Sequence, residues 1–107
     1  MAKSVLITGC STGIGASLVR SFQKRGLTVF ATARNTSSLS SFSDFPNVHT
    51  LALDVTSDIS VRKCFEQVKV KSGGRLDYQI NNAGIGYDMT LLDYPIEEGR
   101  KMFETNF

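Results

Sequence analysis

The sequence predicts an α/β fold, with helices laid on a parallel sheet, and three observations carry that prediction. Short, nearly continuous apolar runs recur along the chain, stretches with helical spacing separate them, and a glycine-rich turn, TGCSTGIG (Thr8 to Gly15), joins the first run to the first helical stretch. Continuous apolar runs suit strands buried on both faces, and strands alternating with helices imply right-handed crossovers and a parallel sheet. The 107 residues show no internal repeat and no linker, so a single unit over 1–107 is expected.

Each element follows in order. Ser4-Val5-Leu6-Ile7-Thr8 reads as the first strand. After the glycines, Ile14, Leu18 and Phe22 recur every four residues, the spacing of one helical face, and Gly26 suits the end of that helix. Leu27 to Ala33 (LTVFATA) reads as the second strand. The serine-rich segment from Asn35 to Pro46 has Leu39, Phe42 and Phe45 three apart, which fits either a short helix or an ordered loop. Val48 to Leu53 is the third strand, ending at Asp54, and Asp58 is a candidate cap for a helix whose Val61, Cys64/Phe65 and Val68 share a face. Gly73-Gly74 breaks that helix, Leu76 to Ile80 is the fourth strand, and Pro95 opens a last helix with Glu97 and Glu98 in its first turn.

Composition narrows the function classes. The chain is 41% hydrophobic and 21% charged, as in an ordinary globular domain. No apolar stretch approaches the roughly 18–20 residues of a membrane span, and Met1-Ala2-Lys3-Ser4 runs directly into a strand without a signal-peptide pattern. Cys10 and Cys64 form no CxxC, which suggests a reducing compartment, hence the cytoplasm, and no disulfide scaffold. No metal-ligating set is assigned. The net charge of +2 does not point to nucleic acid, but its distribution is uneven. Lys3, Arg20, Lys24, Arg25 and Arg34 precede the first acid, Asp44, and such a basic half suits an anionic ligand near the glycine turn or a solvated helix face.

The turn excludes one anion-binding motif outright. A P-loop needs a Lys-Ser/Thr pair after its last glycine, and Gly15 is followed by Ala16-Ser17. The spacing is G-x-x-x-G-x-G, so the usual G-x-G-x-x-G dinucleotide fingerprint does not match either. The physics still holds: glycines admit a pyrophosphate close to the backbone, and the helix that starts near Gly13 presents its free N–H groups to it. Ser11 and Thr12 add hydroxyl donors. The alternative is a tight strand-to-helix turn without a ligand.

The Thr-Gly-x-x-x-Gly-x-Gly turn, Asp54 after the third strand, Asn81-Asn82-Ala83-Gly84 after the fourth and Asn106 near the end follow one another in the order of a known family. Through them the chain resembles the short-chain dehydrogenases/reductases, over its entire length. The stretches VFATAR and NNAGIGYDMTLLD are most similar to the fungal 1-acyl-dihydroxyacetone-phosphate reductases and their steroid- and retinol-reducing relatives. The resemblance implies the N-terminal half of a doubly wound parallel sheet of Rossmann type, which binds a nicotinamide dinucleotide. It also implies a carbonyl or alcohol small molecule as substrate, reduction of a ketone or aldehyde that is lipid-derived in some members, and frequent homo-oligomers. Beside a cytoplasmic location, peripheral association with the endoplasmic reticulum or lipid droplets is compatible with the sequence.

By that resemblance Gly9, Ser11, Thr12, Gly13, Ile14 and Gly15 wrap the cofactor's phosphates and adenosine ribose. Asp54 accepts from the adenine amino group or is an ordinary strand-end aspartate. Asn82, Ala83 and Gly84 pass the adenosine and nicotinamide riboses, Asn81 ties neighbouring strands, and Asn106 holds a water in the proton relay. Cofactor choice is read from the end of the second strand. NAD-binding folds place an acid there to take the ribose hydroxyls, whereas this chain has Ala33 followed by Arg34, which favours the 2′-phosphate of NADP(H). The competing reading of Arg34 is a solvated strand-end residue.

Two departures from the family remain. Its serine and Tyr-x-x-x-Lys do not occur, since Tyr78, Tyr87 and Tyr94 have Asn82, Leu91 and Glu98 four residues on. Cofactor binding without catalysis is therefore expected of these residues alone, as a non-catalytic nucleotide-binding module or a truncated product. Gln79 stands in the fourth strand where relatives carry an apolar residue, and burying it without partners costs on the order of 1–3 kcal/mol.

Overall fold

A computed structural model describes residues 3–11, 13–81 and 88–91. The element order is β1 (Ser4–Ile7), α1 (Gly13–Lys24), β2 (Thr28–Ala33), a 3₁₀ helix (Thr36–Phe42), β3 (Val48–Ala52), α2 (Asp58–Ser72), β4 (Tyr78–Asn81) and β5 (Asp88–Leu91). They build one sheet in the order β3-β2-β1-β4-β5. β1 pairs in parallel with β2 (Leu6 opposite Phe30) and with β4 (Leu6 opposite Gln79), and β2 pairs in parallel with β3.

The apolar runs are buried strands because the sheet is covered on both faces. Every residue of β1 is buried. Val5 and Ile7 face α1 and the 3₁₀ helix, in a cluster with Val19, Val29, Ala31, Leu39 and Phe42. Leu6 faces α2 instead, packing with Phe30, Leu51, Val61, Phe65 and Leu76. The serine-rich segment thus resolves as a 3₁₀ helix whose Leu39 and Phe42 are its buried residues, while its serines stay exposed. The spacing of three between those two side chains matches the three-residue turn of a 3₁₀ helix.

Helix ends follow local chemistry, with one correction. α2 is capped by Ser57, whose hydroxyl accepts the Ser60 N–H at 3.2 Å, and Asp58 sits in the first turn. Ser57 wins because its backbone is extended while Asp58 is already helical, and its carboxylate there still favours the helix dipole. At the far end Gly73 adopts a left-handed conformation (φ 73°), and its N–H and that of Gly74 both return to the Lys69 carbonyl.

The largest departure from expectation is β5. The sequence reads as parallel strands throughout, yet Asp88–Leu91 lies antiparallel to β4, with Gln79 opposite Thr90 and Asn81 opposite Asp88. An antiparallel neighbour needs only a short connection, whereas a parallel one needs a crossover of a dozen or more residues. Six residues separate β4 from β5, so the reversal follows from length. The helix expected from Pro95 lies outside the described residues. Gln79 is buried, 2% exposed; the residue has an interaction of its own, but its Oε1 has no hydrogen-bond partner among the described residues, so part of the expected cost remains.

Leu6 touches the core from the centre of the sheet with no exposed surface, whereas Val70 on α2 is 82% exposed. Leu6→Ala is expected to lower the unfolding free energy by about 2–5 kcal/mol and Val70→Ala by less than about 0.5 kcal/mol. Urea denaturation followed by circular dichroism checks both, and equal effects would contradict this account of the core.

Candidate functional site

In a doubly wound sheet the ligand crevice lies beyond the carboxyl ends of the strands, where the strand order reverses. Here the chain moves outward from β1 to β3 and then crosses back to β4 on the other side of β1. The loops after β1, β2 and β3 enclose a cavity of about 600 Å³ at that end. Thr8, Gly9 and Ser11 come from the first loop, Ala33, Arg34, Asn35 and Ser38 from the second, and Leu53, Asp54, Val55 and Thr56 from the third.

The first loop is held by its backbone. Gly9 has φ 66°, a left-handed conformation that costs a side-chain-bearing residue more than glycine. On either side of it the Thr8 N–H donates to the Ile80 carbonyl at 3.0 Å and the Cys10 N–H to the Thr32 carbonyl at 2.9 Å. α1 then begins at Gly13. Among the described residues, a Cβ placed on Gly13 would meet nothing within 4 Å beyond its own chain neighbours and helix backbone. The glycine is therefore not demanded by packing, and its backbone is helical. What its missing side chain leaves is open space at a helix N-terminus, where free N–H groups attract an anion. The neighbouring Ile14 is 58% exposed, an apolar side chain beside that space, while Gly15 is buried.

The second and third loops are shaped by side chains acting on nearby backbone. Asn35 Oδ1 accepts from the Ser37 N–H at 3.0 Å and the Ser37 hydroxyl at 2.9 Å, which starts the 3₁₀ helix and brings Ser38 to the cavity. Asp54 Oδ1 accepts from the Thr56 N–H at 3.0 Å and the Thr56 hydroxyl at 2.6 Å. The Asp54 N–H donates to the Ser60 hydroxyl at 2.8 Å, anchoring the loop to the first turn of α2.

Arg34 Nε lies 3.7 Å from Asp54 Oδ1, across the mouth of the cavity. The two Thr56 hydrogen bonds, and after them the Arg34 charge, hold the Asp54 carboxyl below its ordinary 3.8. The carboxylate therefore supports this loop at neutral pH, and that support is lost only as the pH falls through the lowered value. The Arg34 side chain is 77% exposed, and solvent screening leaves an ion pair in that setting little to add. The guanidinium can therefore leave Asp54 for a better anion, and the second carboxylate oxygen retains acceptor capacity.

Of the residues singled out from the sequence, Gly9, Ser11, Arg34 and Asp54 line this one cavity, and Gly13, Ile14 and Gly15 form the helix start that follows the first loop. Thr12, Asn82, Ala83, Gly84 and Asn106 lie outside the described residues. Thr8, Asn35, Ser38, Leu53, Val55 and Thr56 were not anticipated as lining residues. The signal for Asn35 was present, because Asn followed by Thr-Ser-Ser is a helix-capping pattern. Thr56 carried only its position two residues after an aspartate, the spacing of an Asx turn.

A mostly parallel sheet whose glycine-rich turn lies at the switch point of the strand order defines an α/β fold of Rossmann type. Comparison with known proteins takes this further, because the family model for the short chain dehydrogenases matches residues 3–107, and the chain belongs to that family. A short-chain dehydrogenase of Penicillium ochrochloron is 43% identical over 106 residues, covering 98% of this chain and 39% of the relative. The NADPH-dependent 1-acyldihydroxyacetone phosphate reductase of Schizosaccharomyces pombe is 41% identical, covering 98% of this chain and 36% of that protein. Among solved structures, the NADPH-bound carbonyl reductase from chicken fatty liver superposes with a TM-score of 0.70 at 33% identity, over 78% of this chain and 37% of that one. The chain spans about two fifths of the length of the curated relatives it matches. No helix among the described residues is long and apolar enough to cross a membrane.

Both cysteines are buried thiols, and burial pushes each up to about 12. Cys10 lies inside the glycine turn, where its thiol donates to the Ile7 carbonyl at 3.2 Å. At pH 8 almost none of either thiol is then the reactive thiolate. A colorimetric disulfide reagent is expected to leave both untouched in the folded chain and to titrate both in denaturant. Rapid labelling of Cys10 in the folded chain would show that the turn opens.

Proposed function

We propose that this chain is the cofactor-binding part of an NADPH-dependent short-chain oxidoreductase that reduces a ketone or aldehyde to an alcohol. One observation carries the cofactor choice: where an acid would take the ribose hydroxyls of NADH, the end of β2 has Ala33 and then Arg34, at the cavity mouth. A carboxylate there repels a 2′-phosphate, and a guanidinium accepts it through paired charge-assisted hydrogen bonds. Asn35 and Ser38, beside Arg34, add polar groups of the kind a phosphate uses.

The rest of the cavity fits the same ligand. The N-terminus of α1, unobstructed at Gly13, takes the pyrophosphate, with Ser11 and Thr12 as further donors and Ile14 against the ribose. Asp54 directs an oxygen at the adenine amino group, and Leu53 and Val55 supply the apolar walls for the ring. The family resemblance assigns Asn82, Ala83 and Gly84 to the cofactor's riboses and Asn106 to the proton relay, and all four lie outside the described residues. NADPH, when bound, supplies the hydride. Proton transfer to the carbonyl oxygen needs a separate acid within hydrogen-bond reach, and no tyrosine of this sequence has a lysine four residues on. These 107 residues alone therefore bind cofactor without turning it over. The NADPH-dependent reductase and the NADPH-bound carbonyl reductase among the similar proteins support the choice of cofactor and reaction class.

Arg34→Ala is expected to weaken NADPH binding by about 1.5–3 kcal/mol, roughly 10- to 150-fold, and to leave NADH nearly unchanged. Nicotinamide fluorescence titrations check this, and an unchanged preference between the two cofactors would sink the assignment. Gly13→Val is expected to abolish binding of both cofactors in a chain that still folds, since the valine occupies the space left for the pyrophosphate. With the unaltered chain, NADPH absorbance should stay constant against a panel of ketones and aldehydes. Stoichiometric oxidation by a preparation free of host reductases would require a different proton donor.

A further inference from the structure

The opposite end of the sheet carries a second cavity, of about 490 Å³, formed where β1, β2 and β4 begin and α2 ends. It shares no lining residue with the first. Lys3, Lys71 and Arg75 line it together with one carboxylate, Asp77, and the Lys3 ammonium lies 5.8 Å from the centre of the Tyr78 ring. We propose that this cavity is a second anion site, built for a phosphate monoester.

Charge and hydrogen bonding both point to that ligand class. The Asp77 carboxylate is turned to the start of β1, where its Oδ2 accepts the Ser4 N–H at 2.8 Å and the Ser4 hydroxyl at 3.4 Å. Among the described residues that line the cavity, three carry a positive charge and one a negative charge. The carboxyl end of α2 subtracts roughly half a charge, too little to reverse the sign. Two of its terminal N–H groups also close on the Lys69 carbonyl. The field of Lys71 reaches β3, where, after burial, it is the second cause that lowers the proton affinity of His49.

Ser72 supplies the independent observation. Ser72 lines this cavity, and its Oγ is shielded from solvent and has no hydrogen-bond partner among the described residues. A shielded hydroxyl left unpaired is costly in a native fold, and its usual explanation is an absent water or ion. A phosphate monoester answers each feature at once. It accepts from the Ser72 hydroxyl, from that of Thr28 and from two ammonium groups, and it matches the planar fork of Arg75. A carboxylate ligand has fewer oxygens than the donors available here. The phosphate can belong to a soluble ester or to a lipid headgroup.

The test is a ¹H–¹⁵N chemical-shift titration of the full 107-residue chain with inorganic phosphate, in Gly13→Val or with the first cavity saturated by NADPH. Expected are saturable shifts at the Ser4, Thr28, Ser72 and Arg75 amides, weakened at least tenfold in Lys71→Gln, whose exposed side chain can be changed without touching the core. A parallel arm measures co-sedimentation with phosphatidylcholine vesicles containing phosphatidic acid. Saturation by inorganic phosphate assigns a soluble ester. Vesicle binding that Lys71→Gln removes, without a response to inorganic phosphate, assigns a lipid headgroup. Shifts confined to residues 8–15 and 33–38, unchanged affinity in Lys71→Gln, or no response in either arm would overturn the proposal.

Discussion

The turn between β1 and α1 is the constraint on which the rest depends. Gly9 reverses the chain in a left-handed conformation, and the amides on either side of it donate in opposite directions, Thr8 to β4 and Cys10 to β2. The Thr32 hydroxyl adds a buried hydrogen bond of 2.8 Å to the Ile7 carbonyl. The loop is thus an extension of the sheet ladder, and it delivers the start of α1 to the cavity at a set position. A loop held only by side chains would lose that position at a small energetic cost, because each exposed polar contact contributes little.

The second and third loops solve a different problem. They must stay open to a ligand, so they cannot be fixed by burying apolar groups. Asn35 and Asp54 fix them through local hydrogen bonds to Ser37 and Thr56, and the same loops bring Arg34 and Asp54 to the cavity mouth. The Arg34–Asp54 pair is long and solvated, which makes it easy to replace by contacts with a ligand. Stability comes from elsewhere: the two apolar clusters on either face of the sheet hold the strands whose ends carry these loops.

The two ends of the sheet divide the polar chemistry of the chain. At the carboxyl ends of the strands, backbone N–H groups and one exposed arginine surround a cavity with an apolar wall. At the amino ends, charged residues from just before β1, from the end of α2 and from the approach to β4 line the other. Antiparallel packing of helices on a parallel sheet produces this division, since it collects the helix starts at one end and the helix finishes at the other.

The sequence by itself determined the features that local physics encodes. Apolar runs without alternation specify strands covered on both faces, helical spacing specifies the buried face of α2, and a glycine cluster specifies a tight strand-to-helix turn. On α1 the spacing misleads, because Gly15 and Val19 are buried, Leu18 and Phe22 only partly so, and Ile14 is exposed. The missing acid after β2 was equally legible, because one residue type at one strand end decides the charge there. Tertiary structure decided what depends on partners distant in the chain. The direction of β5 follows from the open edge of β4 and a short connection, not from the apolar pattern of Asp88–Leu91. Ser57 caps α2 because the chain leaving Asp54 is still extended there. The second cavity joins Lys3 to Lys71 and Arg75 across most of the chain, and no sequence window contains both ends of such a contact. Periodicity records which face of an element is buried; which charges meet at a sheet end depends on how the elements pack.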